Sequence, residues 1–208
     1  LSLVGSEMCI RDREQAERAA AQSEPEILQS DLSGLLMELL QWGCSDPAQM
    51  SWLDQPPAVN LQAAKRLLRM LGALDGERLS AQGQKMAALG NDPRLAAMLV
   101  SAKSDDEAAT AAKIAAILEE PPRMGNSDLG VAFSRNQPAW QQRSQQLLKR
   151  LNVRGGEADS SLIAPLLAGA YADRIARRRG QDGRYQLANG MGAMLDACLL
   201  YTSPSPRD

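Results

Sequence analysis

The chain has 208 residues, of which 44% are hydrophobic and only 3% aromatic, with 23 basic and 25 acidic side chains. This apolar content allows a buried core and argues against wholesale disorder, while a net charge of −2 excludes a polycation. The apolar residues are mostly Leu, Ala, Ile, Val and Met, which favour helices. The composition therefore predicts a mainly α-helical protein.

Histidine is absent and there are three cysteines. Without histidine, Ser-His-Asp and Cys-His nucleophile systems and His-bearing zinc sites are excluded within this chain. Cys9, Cys44 and Cys198 are far apart and form no CxxC pair, which argues against a disulfide framework and suits a reducing cytosol. No run reaches the roughly 18 to 20 apolar residues that a membrane span needs. These features predict a cytoplasmic protein with no membrane partner.

Both ends of the chain are expected to be foreign to the fold. The strings VGSEMCIRDR (Val4–Arg13) and CLLYTSPSPRD (Cys198–Asp208) resemble translated adapter sequence that recurs on unrelated metagenomic fragments. We therefore predict that residues 1–13 and 198–208 are not native. The alternative is a pair of genuine disordered tails.

The first clear element is a leucine stripe with helical spacing, which predicts a helix over Asp31–Trp42. Gly43 stands where a glycine ends a helix in the left-handed conformation. A turn-rich connector follows, and its Trp52 and Leu53 are expected to pack into a hydrophobic core.

A helix, a hairpin and a short helix are predicted next. Asn60 is expected to cap a helix that stops at Gly72. The Asp75-Gly76 turn predicts a small hairpin, and Gln82–Leu89 a short helix. Two helices followed by a hairpin are typical of a winged-helix module.

The second half predicts a cluster of helices. Asp92-Pro93 opens one helix, and Ser104-Asp105-Asp106-Glu107 is a capping box for the next. Pro138–Leu151 and Ser160–Arg178 are predicted as two further helices. Tyr185-Gln186-Leu187 is predicted as a lone strand with no partner, which suggests a domain that continues beyond the chain.

From about Gln22 to Ala197, the order of elements and three strings resemble the C-terminal region of DEAH-type helicases. The strings are SEPEIL (residues 23–28), LSAQGQKMA (79–87) and NDPRLAAML (91–99). Ser134-Arg135-Asn136 and the string LLAGAYADRIARRRG, which ends at Gly180, are similar to the HrpB branch in particular.

The resemblance implies how the chain is divided. Residues 14–29 would close the second RecA-like domain, 30–90 would be a winged helix, 91–183 a helical HA2 or ratchet domain, and 184–197 the start of a truncated C-terminal β region. It also implies a parent protein that is an ATP-dependent RNA helicase using ATP and Mg²⁺. The implied partners are single-stranded RNA or DNA and the RecA-like domains of the same protein.

The sequence departs from the family where the ATPase motifs are concerned. It contains no G-x-x-x-x-G-K-[ST], no D-E-x-H and no R-x-G-R-x-G-R, and the first of these is needed to hold the β- and γ-phosphates. We therefore expect no catalytic residue, metal site or cofactor within this chain.

Basic residues are concentrated late in the chain. Residues 135–185 hold ten Lys/Arg and four Asp/Glu, a net charge of +6. If Ser160–Arg178 is helical, Arg174, Arg177 and Arg178 share one face, where guanidinium groups can bind phosphates. Neighbouring cations could extend that surface, and the alternative is a solvated helix end. The predicted nucleic-acid-binding residues are Arg135, Arg143, Lys149, Arg174, Arg177, Arg178 and Arg179.

A second class of function is a winged-helix DNA-binding transcription regulator with a helical dimerisation or ligand domain. Its recognition helix would be Asn60–Leu71, whose exposed side carries only Lys65, Arg66 and Arg69 besides Gln62. The small number of basic residues on this helix, the absent start methionine and the lone strand all favour a fragment of a larger protein over this regulator.

Overall fold

The computed structural model describes residues 25–44, 46–90, 92–122, 128–180 and 183–195. The predictions for residues 1–13 and 198–208 lie outside these ranges, as does most of the segment expected to close a RecA-like domain. Across the described ranges, every helix is too short or too polar to span a bilayer.

The first half contains four helices and a hairpin in its described residues. They are α1 (Glu26–Gln29), α2 (Ser33–Gln41), α3 (Ala58–Met70), β1 (Leu74–Asp75), β2 (Arg78–Leu79) and α4 (Ala81–Leu89), with a 3-10 turn at Pro47–Gln49. β1 and β2 pair antiparallel, with Leu74 opposite Leu79. The predicted order of helix, helix, hairpin and short helix is therefore confirmed.

The second half is helical until residue 174 and then becomes a sheet. Its elements are α5 (Pro93–Val100), α6 (Asp105–Glu119), α7 (Leu129–Phe133), α8 (Pro138–Arg150), α9 (Ile163–Ala170), β3 (Ala176–Arg179), β4 (Arg184–Leu187) and β5 (Gly192–Met194), with 3-10 turns at Ser160–Leu162 and Ala172–Arg174. The mainly α fold class is confirmed.

Helix ends follow the local chemistry of the sequence. The Ser104 hydroxyl accepts a hydrogen bond from the Glu107 amide at 3.1 Å, and the Glu107 carboxylate accepts one from the Lys103 amide at 2.7 Å. Asp92 caps α5 through the Arg94 amide at 2.9 Å, with Pro93 in the first turn. Ser104 and Asp92 each satisfy an amide that the first turn of the helix leaves unpaired, and Glu107 binds the amide of the residue before the cap.

The core forms one hydrophobic cluster that runs from α2 to α9. At its centre is α6, which packs against α5, α7, α8 and α9. Nine residues of α6 are buried, and most of them are alanine. Small side chains let the neighbouring helices approach closely on several sides.

Two details of the connector and of α3 were predicted wrongly. Leu53 is fully exposed, while Trp52 is half-buried and its indole donates to the Pro47 carbonyl at 2.7 Å. Asn60 lies inside α3, which begins after Pro57. Its side-chain amide donates instead to the Leu28 carbonyl at 3.1 Å, because a contact 32 residues away outweighs its local preference for a helix end.

The prediction of one long helix over Ser160–Arg178 is wrong. α9 ends at Ala170, and Tyr171 leaves the helical region with φ −122° and ψ 36°. Ile175 is extended, and its carbonyl accepts a hydrogen bond from the Ala188 amide at 2.8 Å. The backbone groups beyond Ile175 find their partners in a sheet, so a helix is not required to satisfy them.

The prediction of a lone strand at Tyr185–Leu187 is also wrong. β4 is the central strand of a three-stranded antiparallel sheet, with β3 on one side and β5 on the other. β3 and β4 pair across residue 183, where the sequence predicts a domain boundary. Because β4 has partners on both sides, it no longer supports the idea that the domain lacks part of its sheet.

Candidate nucleic-acid interface

The predicted arginine cluster lies on a strand and the turn before it, not on a helix. Arg174 ends a 3-10 turn, and Arg177, Arg178 and Arg179 belong to β3, whose four residues are all exposed. Because successive strand residues point to opposite faces, Arg177 and Arg179 share one face while Arg178 lies on the other. The predicted shared face of Arg174, Arg177 and Arg178 is thus wrong.

Sequence reasoning missed a fourth arginine in this sheet. Arg184 is exposed and stands directly opposite Arg179 in the β3–β4 register. Gly180 follows β3 and Gly183 precedes β4, and both have positive φ. Recognition of this glycine-bounded turn as a hairpin would have placed Arg184 beside Arg179.

A buried ion pair fixes the start of the sheet to the helical core. The Arg94 guanidinium donates to both Asp173 carboxylate oxygens, at 2.7 and 2.8 Å, and to the Ala170 carbonyl at 3.0 Å. Arg94 is only 7% exposed, and it lies 5.1 Å from the centre of the Tyr171 ring. Its hydrogen bonds hold the pKa of Asp173 below the usual range. The segment that leads into β3 is therefore held in place from α5.

Tyr171 also supports Arg174. The Arg174 guanidinium lies 5.6 Å from the Tyr171 ring centre, within the range of a cation–π contact. Burial raises the pKa of the Tyr171 hydroxyl. The aromatic ring therefore links the buried Arg94 to an exposed cation just ahead of the sheet.

Arg143 is held in an ion pair within the fold. Its Nε and Nη2 donate to the two Glu119 carboxylate oxygens at 2.6 and 2.9 Å. The side chain is half-buried, and these hydrogen bonds raise the pKa of Arg143. The pair joins α8 to the end of α6, which favours a structural role for Arg143 over phosphate binding.

Arg135 and Lys149 are exposed on the helical part of the chain. They line two adjoining grooves that share Gln145, Leu148 and Gly156. No residue of the β3–β5 sheet lines either groove. Among the described residues, the predicted cations therefore form two surfaces, one beside α8 and one on the sheet.

Two of the three positive side chains of α3 form ion pairs with the hairpin. Lys65 and Arg69 bind the Glu77 carboxylate at 2.6 and 3.0 Å, and the Lys65 hydrogen bond is the main cause of a lowered pKa at Glu77. Arg66 is exposed. This face is therefore poorly suited to reading duplex DNA.

The described residues contain no cluster of side chains suited to bind a metal ion. Within the described ranges, no group of three or more Cys, Asp or Glu side chains could hold a metal ion. Cys44 is a half-buried free thiol.

The mainly helical fold, its small sheet and the quoted strings agree with the predicted resemblance to the C-terminal region of DEAH-type RNA helicases. No family model matches the chain. The chain is 96% identical over 185 residues, 89% of its length, to the ATP-dependent RNA helicase HrpB of Escherichia coli strain K12. A crystal structure of the E. coli DEAH/RHA helicase HrpB superposes on 88% of the chain with a TM-score of 0.83 and 97% identity.

A more distant relative covers less of the chain. The ATP-dependent RNA helicase HrpA of E. coli is 31% identical over 87 residues, 39% of this chain and 7% of HrpA. The chain spans about a quarter of the length of HrpB, 23% of the protein and 24% of the superposed crystal chain. The predicted resemblance is therefore confirmed, because over most of its length the chain is nearly identical to a segment of HrpB.

Proposed function

We propose that this segment serves a longer ATP-dependent RNA helicase as an accessory region that holds single-stranded RNA or DNA. It does so through electrostatic contacts with phosphates and through packing on RecA-like domains elsewhere in that protein. In this proposal ATP hydrolysis and Mg²⁺ belong to those domains. The predicted divisions at residues 30–90, 91–183 and 184–197 are part of the proposal, as is a cytoplasmic location.

The observation that supports the proposal is the run of exposed arginines formed by β3 and by Arg174, which lies just before it. Arg174 and Arg177–Arg179 are exposed, and among the described residues no ion pair within 4.0 Å joins Arg174, Arg177 or Arg179 to a carboxylate. Arginine binds phosphates with two parallel hydrogen bonds and gives affinity that does not depend on base sequence. Such a surface suits a helicase, which must move along many sequences.

The transcription-regulator alternative has less support. Lys65 and Arg69, two of the three cations expected on the recognition helix, are bound to Glu77. Sequence similarity to helicases over most of the chain supports the accessory role.

The test is binding of a labelled single-stranded RNA to the full 208-residue chain across a series of salt concentrations. In one variant Arg174, Arg177, Arg178 and Arg179 are changed to Ala. In a control of equal charge, Lys65, Arg66, Arg69 and Lys85 are changed to Ala. We expect the first variant to lose most of the affinity and the salt dependence, and the control to retain both.

Two outcomes would contradict the proposal. Unchanged RNA binding by the first variant would show that the arginine run is a solvated surface. Tighter binding to duplex DNA than to single-stranded RNA, lost in the control variant, would support the regulator instead.

A further inference from the structure

The two faces of the β3–β5 sheet differ in charge. Strand alternation and the observed register place Arg177, Arg179 and Arg184 on one face, together with Gln186 and Met194. We call this the arginine face. The opposite face carries Ala176, Arg178, Tyr185, Leu187 and Ala193. The sheet thus has one face with three guanidinium groups and one with a single guanidinium among apolar and aromatic side chains.

The arginine face brings like charges together. Arg179 and Arg184 are direct cross-strand partners, which places their Cβ atoms about 5 Å apart. Like charges in this position destabilise a sheet. Among the described residues, neither has a carboxylate within 4.0 Å. A bound anion would offset the repulsion, and the described part of the sheet supplies none.

The spacing on this face suits a polyanion with a regular repeat. Arg177 and Arg179 are two residues apart on one strand, which separates them by about 6.7 Å along the sheet. Arg184 adds a third cation at the same end as Arg179. An extended single strand presents one phosphate per nucleotide on a similar scale, so neighbouring phosphates can meet neighbouring guanidinium groups.

The neighbours of these arginines indicate which part of the nucleic acid is held. No aromatic side chain lies on the described arginine face, and Tyr185, the aromatic residue of β4, points to the other face. Stacking of bases on aromatic rings is a common mode of binding single strands, and this face does not offer it. Contacts here would involve phosphates, with Gln186 able to bond a sugar or base edge.

We propose that the arginine face, through Arg177, Arg179 and Arg184, is the surface of this sheet that binds the phosphate backbone of a single-stranded nucleic acid. Arg178 on the opposite face does not take part. This inference rests on the proposed function. It adds which face of the sheet binds, a residue that the sequence analysis did not predict (Arg184), and the chemical group that is recognised, the phosphate.

The experiment compares two double variants in the full 208-residue chain. Arg177→Ala with Arg179→Ala removes two charges from the arginine face, and Arg174→Ala with Arg178→Ala removes two charges from the same short segment but leaves that face intact. The probe is a fluorescent oligouridine, and the measurement is the slope of log K against log salt concentration. A single variant, Arg184→Ala, tests the third cation.

Each phosphate contact to a single strand contributes about 0.7 to that slope. We expect the slope to become shallower by about 1.4 in the arginine-face variant and by about 0.7 in Arg184→Ala. The Arg174/Arg178 variant should change less than the arginine-face variant, because it keeps all three cations of that face. Circular dichroism of each variant checks that the fold is retained. Arg177→Lys with Arg179→Lys keeps both charges and should keep the wild-type slope.

Equal losses in the two double variants would overturn the choice of face and leave the proposed function standing. If Arg184→Ala has the wild-type slope while the Arg177/Arg179 variant is shallower, Arg184 is not a contact. The proposed part played by Arg184 is then overturned, and the choice of face stands. If no variant changes RNA binding, the face and the proposed function both fail.

Discussion

Arg94 and Asp173 lie 79 residues apart in the chain and form a two-bonded ion pair. The Arg94 side chain is 9% exposed and the Asp173 side chain 26%. A buried guanidinium that loses its partner keeps its desolvation cost without the compensating bonds. This ion pair therefore helps to hold the β3–β5 sheet against the helical core.

We expect Asp173→Asn to destabilise the protein by about 1–3 kcal/mol at pH 7, since one charged hydrogen bond is lost and Arg94 stays buried. Urea unfolding followed by circular dichroism measures the change. Asp75→Asn is the control, because Asp75 is exposed in the small hairpin, and its effect should lie within about 0.5 kcal/mol of zero. Equal effects of the two substitutions would contradict a structural role for the pair.

The same pair predicts a dependence of stability on pH. The pKa of Asp173 is lowered in the folded protein, chiefly by the hydrogen bonds from Arg94, whereas an aspartate in the unfolded chain has a pKa of about 3.9. The stabilisation is therefore complete above that value and is lost as the pH falls through it toward the folded pKa. The difference in unfolding free energy between wild type and Asp173→Asn should be constant near pH 7 and shrink below about pH 4. A difference that stays constant down to pH 3 would refute this assignment.

At the scale of elements, α4 packs directly on the backbone of the short segment between α3 and β1. Gly83 in α4 faces the Ala73 carbonyl, which a Cβ atom at this position would strike. The Ser80 hydroxyl donates to the Gly72 carbonyl at 2.6 Å, and the Gln82 side chain donates to the Leu71 carbonyl at 3.0 Å. Gly83 is therefore required for close packing of the helix on the backbone.

Replacement of two helical glycines by alanine should change the free energy of unfolding in opposite directions. Gly83→Ala should destabilise the protein by about 1–3 kcal/mol because the backbone of Ala73 must move. Gly34→Ala in α2 meets only Pro93 Cδ at 3.9 Å, so the helix preference of alanine should stabilise by up to about 1 kcal/mol. Thermal unfolding of both variants and of the wild type measures these changes. Stabilisation by both substitutions would show that α4 can shift away from the hairpin freely.

At the scale of the whole molecule, one hydrophobic cluster joins the segment predicted as a winged helix to the segment predicted as a helical domain. Leu68 in α3 and Leu147 in α8 are each fully buried in it. α2 contacts α5 as well as α3 and α4. A shared core of this kind couples the stability of the two halves.

We expect Leu68→Ala and Leu147→Ala each to lower the stability of one common unfolding transition, by about 2–5 kcal/mol. Circular dichroism and tryptophan fluorescence should report the same midpoint in each variant, because the core is continuous. Leu53→Ala, at a fully exposed leucine, should leave the midpoint unchanged. Two separate transitions, each moved by only one substitution, would mean that residues 30–90 and 91–183 unfold independently.

The sequence by itself determined the helical class, most helix ends, the first hairpin and the helicase resemblance. These depend on neighbours in the chain: the leucine stripe of α2, the Ser104 and Asp92 caps, and the Asp75-Gly76 turn. The periodicity of apolar residues and the hydrogen bonds of caps act over only a few residues, so they can be recognised without the fold.

Only the tertiary structure decided the conformation of residues 171–180 and 183–187 and, with it, the geometry of the candidate site. An arginine-rich run can be read locally as a helix end, but here its amides and carbonyls pair with β4. The contacts that hold it, from Arg94 to Asp173 and from Ala188 to Ile175, come from distant parts of the chain or from across a hairpin. Since such contacts leave no periodic signal near the arginines, the strand, the separation of Arg178 from Arg177 and Arg179, and the approach of Arg184 required the folded chain.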